Sequence, residues 1–323
     1  MLVGHERNIR YFERVLANGT LAHAYLFHGP EAVGKGTAAL AVAAALLCAG
    51  KTRRLGGCGW PAQILPGKTW AGECEDCRSV KALAHPDLVV LAPDRLLVEE
   101  SNRREIGIKN ARELARLLAL APWSGRYRVA IIDGADALSR EAQSALLKTV
   151  EEPSHRMVII LIAAAPELLL PTMRSRAVPI GFQTLSDSRL IPLLAGVPAS
   201  ERGELLALAA GRPGVAVRLA EDPAFRKELA ASTERFARLL KRDGGAQAAF
   251  SEEVASDPAA LPAFLTFLLD RLRANLHQHL GNGAATADTG RLIGIIAERR
   301  ALALTTSVNR RLLADSVFFE LAM

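Results

Sequence analysis

The chain has 323 residues, of which 50% are apolar, enough for a large buried core and for two or three domains, so disorder is excluded as its main state. Its 40 basic and 34 acidic side chains leave a formal charge of +6, which permits contact with nucleic acid or an acidic partner and dictates neither. No apolar run reaches the ~20 residues of a membrane helix, and the opening "MLVGHER" is charged with no apolar signal core, so a cytoplasmic protein without a membrane role is expected.

In chain order, short apolar runs alternate with helical patterns through residue 182, the signature of a parallel sheet wrapped by helices. Strands are predicted at 24–28 "AYLFH", 87–92 "DLVVLA", 128–133 "RVAIID", 157–163 "MVIILIA" and 177–182 "AVPIGF". Between them, "TAALAVAAALLCAG" (37–50) reads as a buried helix. "GIKNARELARLLALAP" (107–122) reads as an amphipathic helix stopped by Pro122, and "SREAQSALLKTVEEP" (139–153) as a helix capped by Ser139 and stopped by Pro153. Beyond Phe182 the β-branched runs cease and helical spacing continues to the end, with "KRDGGAQ" (241–247) as a hinge and "GNGAATADTG" (281–290) as a loop.

The segment Gly29-Pro30-Glu31-Ala32-Val33-Gly34-Lys35 lies between a predicted strand and a predicted helix, the context a G-x-x-x-x-G-K phosphate loop requires. Its backbone amides and the helix N-terminus suit phosphate oxygens, and Lys35 can reach the terminal phosphates of ATP or ADP. A hydrolysing enzyme also needs a magnesium-binding hydroxyl after the lysine and an acid on a second strand. Here Gly36 takes the hydroxyl position, with Thr37 next in line, and Asp133 supplies the acid but is followed by Gly134 where a water-activating glutamate is expected. Hydrolysis by this chain alone is therefore expected to be slow or absent.

The cysteines Cys48, Cys58, Cys74 and Cys77 form one local cluster closed by a C-x2-C pair, a set that suits tetrahedral zinc. Free thiols and an iron–sulfur cluster stay open on count alone. His85, before Pro86-Asp87, reads as a turn residue rather than a further ligand, and His277 and His279, two apart on a helix, share no face.

Together "HAYLFHGPEAVGKGT", the cysteine cluster, "HPDLVVLAP", "RVAIIDGADALSREAQSALLKTVEEP" and "TMRSRAVPI" resemble the delta prime family of bacterial DNA polymerase III clamp-loader subunits, which are AAA+ proteins. The resemblance implies an α/β AAA+ domain over 1–182 with an inserted zinc module at about 48–77, a small helical lid over 183–241 and an all-α collar used in oligomerisation over 242–323. It implies a stator in a hetero-pentameric ring with delta and gamma or tau, acting with the sliding clamp and primer-template DNA. The family's Ser-Arg-Cys motif falls on Ser175, Arg176 and Ala177, which makes Arg176 the arginine that reaches a neighbour's ATP site.

It further implies structural zinc on Cys48, Cys58, Cys74 and Cys77, with 59–73 as an insertion that sets Cys58 apart from the usual spacing. At the end of the fourth strand Ala163, Ala164 and Ala165 stand where ATPase members place a Thr or Asn. Gln143 lies where clamp loaders line their central chamber, which admits backbone contact with primer-template DNA through the assembled ring. Lys51 to Arg54 read as a solvated loop rather than a nucleic-acid patch, and Arg310 and Arg311 decorate a collar helix whose apolar face packs on neighbouring subunits. The alternatives are an active motor ATPase of the gamma or tau type, which Gly36 and Gly134 oppose, and a zinc-containing nucleotide sensor outside replication, which the ordered run of motifs opposes.

Overall fold

A computed structural model describes residues 2–50, 55, 58, 74–99, 105–124, 126–153, 156–240, 244–257, 260–278, 283–305 and 309–321. The basic run at 51–54, the insertion at 59–73, the start of the expected hinge at 241–243, His279 and residues 281–282 of the expected loop lie outside the described residues. The chain divides into two compact units, Met1–Gln183 and Thr184–Met323.

The first unit is a five-stranded parallel sheet in the order β2-β3-β4-β1-β5, with β1 Ala24–His28, β2 Leu88–Leu91, β3 Arg128–Asp133, β4 Met157–Ala163 and β5 Val178–Gly181. Helices cover both of its faces, so the central strands can be apolar at nearly every position. Successive side chains point to opposite faces. Tyr25 and Phe27 of β1 join Val158, Ile160 and Ile162 of β4 in one apolar cluster, beneath α1 (Glu6–Asn18) and α2 (Lys35–Leu47). Leu26, Ile159 and Leu161 face the other way, into the cluster formed by α4 (Ile108–Leu118) and α5 (Arg140–Glu151). Six of the 13 residues of helix α2 are alanine, and Ala39, Ala41, Ala43 and Ala44 are fully buried, which lets its backbone lie close to the strands.

Short helices complete the unit: α3 (Glu75–Lys81) before β2, and α6 (Pro171–Arg174) between β4 and β5. Ser139 caps α5 as its residue type predicts, its side chain accepting from Ala142 N at 3.0 Å. Helix α4 stops at Leu118, before Pro122, and the connection after it is held from within the domain: the buried Asp87 carboxylate accepts from Trp123 N at 2.6 Å and Ser124 N at 2.8 Å, and pairs with Arg128 at 3.2 Å.

The second unit is helical: α7 (Asp187–Leu190), α8 (Ala199–Ala209), α9 (Pro213–Glu221), α10 (Pro223–Leu240), α11 (Gly244–Ser256), α12 (Ala260–Gln278), α13 (Gly283–Thr305) and α14 (Arg310–Glu320). One apolar cluster gathers Leu190, Leu194, Leu205 and Leu219; another is built on Phe236, Phe250 and Phe264. Helix α10 reaches both, with Leu229 in the first and Phe236 in the second. One expectation is corrected here. The loop expected at 281–290 is helical from Gly283, because its alanines favour helix and α13 packs along α12. The glycines of the expected hinge at 241–247 open α11. The apolar face of α14, expected against neighbouring subunits, is also used internally: Leu313, Ala314 and Val317 are buried in the phenylalanine-rich cluster, while Leu312 and Phe319 are each 65% exposed.

Candidate functional site

The phosphate loop leaves the C-terminal end of β1 and enters α2, so its shape is set by the sheet on one side and a helix N-terminus on the other. Gly29 has φ 138°, and a Cβ there would stand 2.0 Å from the carbonyl oxygen of Phe182, just past β5; only glycine fits. Lys35, the first residue of α2, is 7% exposed and its Nζ donates to the carbonyls of Gly29 and Pro30, each at 2.6 Å. Thr37 lies half-buried on the same turn.

Gly36 faces the acid of β3: a Cβ at this position would lie 3.5 Å from Asp133 Oδ2. A hydroxyl at position 36 and the carboxylate would thus converge on one point, and this chain supplies only the carboxylate. Burial raises the Asp133 pKa, Lys35 opposes the rise, and Asp94 and Asp136 add to it. Gly134, the position of the expected general base, adopts φ 78° and abuts Pro93, whose Cδ would lie 3.2 Å from a Cβ.

Several residues at this edge were not singled out by the sequence. Asp136, in a short 3-10 turn, accepts at Oδ2 from Ala164 N at 3.0 Å and Ala165 N at 2.7 Å, fastening the backbone just past β4. The "DGAD" spacing was its signal: two acids one turn apart after an apolar strand. Leu2, His5 and Asn8 strap the loop from the N-terminal side. His5 Nε2 lies 3.0 Å from Val33 O, its ring rests on Phe182 at 4.8 Å, and Asn8 donates to Gly181 O at 2.9 Å. Burial lowers the His5 pKa, and burial together with Lys35 lowers that of His28.

Gln143 does not face a chamber. It is 2% exposed, its Nε2 donates to the carbonyls of Leu138 and Leu168, and its Oε1 accepts from Leu170 N; the DNA contact expected there is withdrawn, because α5 turns this residue toward α6.

The four cysteine sulfurs lie within 4.8 Å of one another. Cys48 and Cys74 are 3.7 Å apart, as are Cys58 and Cys77. Sulfurs placed tetrahedrally at ~2.3 Å from one zinc ion are separated by about 3.8 Å, so the set has the dimensions of a closed zinc site. The backbone amides of Gly50 and Cys77 donate to the sulfurs of Cys48 and Cys74, the arrangement a thiolate needs. Cys74 caps α3; although burial opposes it, hydrogen bonds from Cys77 and the neighbouring thiols lower its pKa to about 7, whereas burial raises those of Cys48 and Cys77. Arg126 donates to the carbonyls of Leu47 and Cys48 and ties the cluster to the sheet. His85 stays out of the cluster: it is buried and its Nδ1 accepts from Asp87 N at 3.0 Å.

Arg176 stands just before β5, at the edge of the sheet away from the phosphate loop. In register, His28 pairs with Gly181 at the loop end and Tyr25 with Val178 at the other. Arg176 shares a cleft of about 390 Å³ with His23, Val150, Glu151 and Glu152. A five-residue strand is about 16 Å long, so Arg176 is a strand length from its own phosphate loop.

A phosphate loop on the C-terminal edge of a five-stranded parallel sheet, with the acid-bearing strand separated from it by β4, defines a P-loop α/β domain of the AAA+ kind. Residues 4–186 match the family model described as "DNA polymerase III, delta subunit". The chain is 32% identical to the delta' subunit of Pseudomonas aeruginosa DNA polymerase III over 86% of this chain and 80% of that one. It is 28% identical to the delta' subunit of Bacillus subtilis over 70% of this chain and 62% of that one. Similarity extends to the gamma/tau subunit of Mycobacterium bovis, at 32% over 62% of this chain but 31% of the longer relative. The chain belongs to the delta prime family of DNA polymerase III subunits. Among the described residues no helix is long and apolar enough to cross a membrane.

Proposed function

We propose that this chain is the stator of a clamp-loader ring: a subunit that assembles with delta and gamma or tau, turns over little ATP itself, and places Arg176 in the ATP site of an adjoining motor subunit. The observation that carries this reading is the division of labour across one sheet. At the loop edge the phosphate cradle of Gly29, Gly34 and Lys35 persists with Thr37 and Asp133, while positions 36 and 134 are glycines. At the opposite edge an exposed guanidinium stands about 16 Å from its own loop, where only another protomer's phosphates come within reach. In this reading the cradle holds ATP or ADP passively, residues 183–241 form the lid and 242–323 the oligomerising collar, and contact with the sliding clamp and primer-template DNA is made through the assembled ring.

Cys48, Cys58, Cys74 and Cys77 would hold one zinc ion, whose chemistry is structural: four thiolate bonds that close a local loop and leave no open coordination position. The second reading, a motor ATPase, draws on the similarity to gamma/tau subunits.

Reconstitution decides between them. The purified chain alone is expected to show negligible ATP turnover, and the complete complex carrying Arg176→Ala is expected to lose on the order of 10³-fold in the turnover of the adjoining site. Vigorous magnesium-dependent turnover by the isolated chain would establish the motor reading, and unchanged turnover and clamp loading with Arg176→Ala would remove the arginine's role.

A further inference from the structure

We infer that Glu151 is a positioning residue for Arg176, an inference that rests on the trans-acting role proposed for that arginine. Arg176 NH2 lies 2.7 Å from Glu151 Oε1, and NH1 donates to the carbonyl of Thr172 at 2.9 Å. These contacts come from different elements, the last residue of α5 and the second residue of α6, so they fix the guanidinium from two directions. Neither side chain is buried: Arg176 is 37% and Glu151 41% exposed, which leaves part of a guanidinium with five N–H donors accessible from solvent.

The sequence places this carboxylate where a helix does not want one. Glu151 ends α5 and Glu152 follows as its C-cap, at the negative end of the helix dipole, where cations are favoured and anions are not. Local helix energetics therefore oppose an acid at this position, and such conflicts concentrate at functional sites. The gain that offsets it is the contact with Arg176. A free arginine at this exposure samples many rotamers. One held by a carboxylate and a carbonyl presents a planar fork already aimed, and misplacement of a catalytic group by about 1 Å costs on the order of 10²-fold in rate.

The action is through hydrogen-bond geometry, so the neutral isostere should substitute for the acid. In the reconstituted complex, with ATP turnover normalised to assembled ring, Glu151→Ala is expected to lower kcat by about threefold to tenfold while leaving the KM for ATP within about twofold of wild type, well short of the ~10³-fold expected for loss of the arginine itself. Glu151→Gln, which retains an acceptor oxygen, should keep most of the wild-type kcat. Glu151→Ala added to Arg176→Ala should lower turnover no further. The inference is overturned if Glu151→Ala leaves kcat unchanged or raises it in a system where Arg176→Ala is impaired, if the Gln and Ala variants fall equally, or if the double variant is worse than Arg176→Ala alone. Wild-type turnover with Arg176→Ala would instead remove the role of the arginine, and this inference with it.

Discussion

Replacing Asp87 with alanine removes the anchor of the segment that joins α4 to β3. The carboxylate is fully buried and holds Trp123 N, Ser124 N and the Arg128 guanidinium, which is itself only 10% exposed at its side chain. Removing one partner of a buried ion pair costs about 3–5 kcal/mol, and each amide left without a partner costs about 1–3 kcal/mol more. The amides recover part of this, because Trp123 is 86% exposed and water reaches a loop that lifts away. Arg128 retains the carbonyls of Leu117 and Ala121, which places the net loss near the lower end, about 3 kcal/mol. For a domain of this size that corresponds to a fall in Tm of about 6–12 °C.

The measurement is urea and thermal unfolding of the full chain by circular dichroism, repeated across pH. Burial pushes the Asp87 pKa up, but the amides of Ser124 and Trp123 and the Arg128 charge outweigh it and hold the value below the ordinary carboxylate range. A depressed folded-state pKa contributes stability that is fully present above the unfolded value of about 3.9 and is lost as pH falls through the folded value. The gap between wild type and Asp87→Asn should therefore be constant at neutral pH and close only below about pH 4. A loss under about 1 kcal/mol for Asp87→Ala would refute the claim that this carboxylate anchors the segment.

Two further outcomes follow from the loop edge and the cysteine cluster. Metal analysis of the purified chain should find about one zinc equivalent, and Cys58→Ser should lower the zinc content and the Tm together; a chain that is free of metal and indifferent to chelators would exclude the site. Gly29→Ala should destabilise the first unit by about 2–5 kcal/mol in urea unfolding, from a left-handed backbone and a collision with the Phe182 carbonyl, and wild-type stability would show that the loop does not dock on β5 as described.

The sheet was legible because its information is local. β1, β3 and β4 coincide with apolar runs bounded by polar residues, and β2 and β5 are each one residue shorter at either end than their runs. The context of the phosphate loop was legible for the same reason. What escaped were contacts that join distant segments: His5 to Val33, Asp136 to the end of β4, and Asp87 to Ser124 across 37 positions. Gln143 misled because a polar residue on a surface-patterned helix gives no sign that its amide will satisfy three backbone groups. Residues 281–290 misled because their glycines suggest a turn, whereas from Gly283 packing along α12 decides. In Cys58, a long interval in sequence obscured what the fold brings within 3.7 Å of Cys77.

Position 134 bears on how such a chain could change its activity. A motor-type glutamate there is a single substitution in sequence but not in space. The backbone holds φ 78°, and the first carbon of any side chain would press on the ring of Pro93. The Pro93 ring or the turn itself would have to give by a few tenths of an ångström to admit it. Position 134 thus resists a side chain for a steric reason of its own, independent of the residue at position 36.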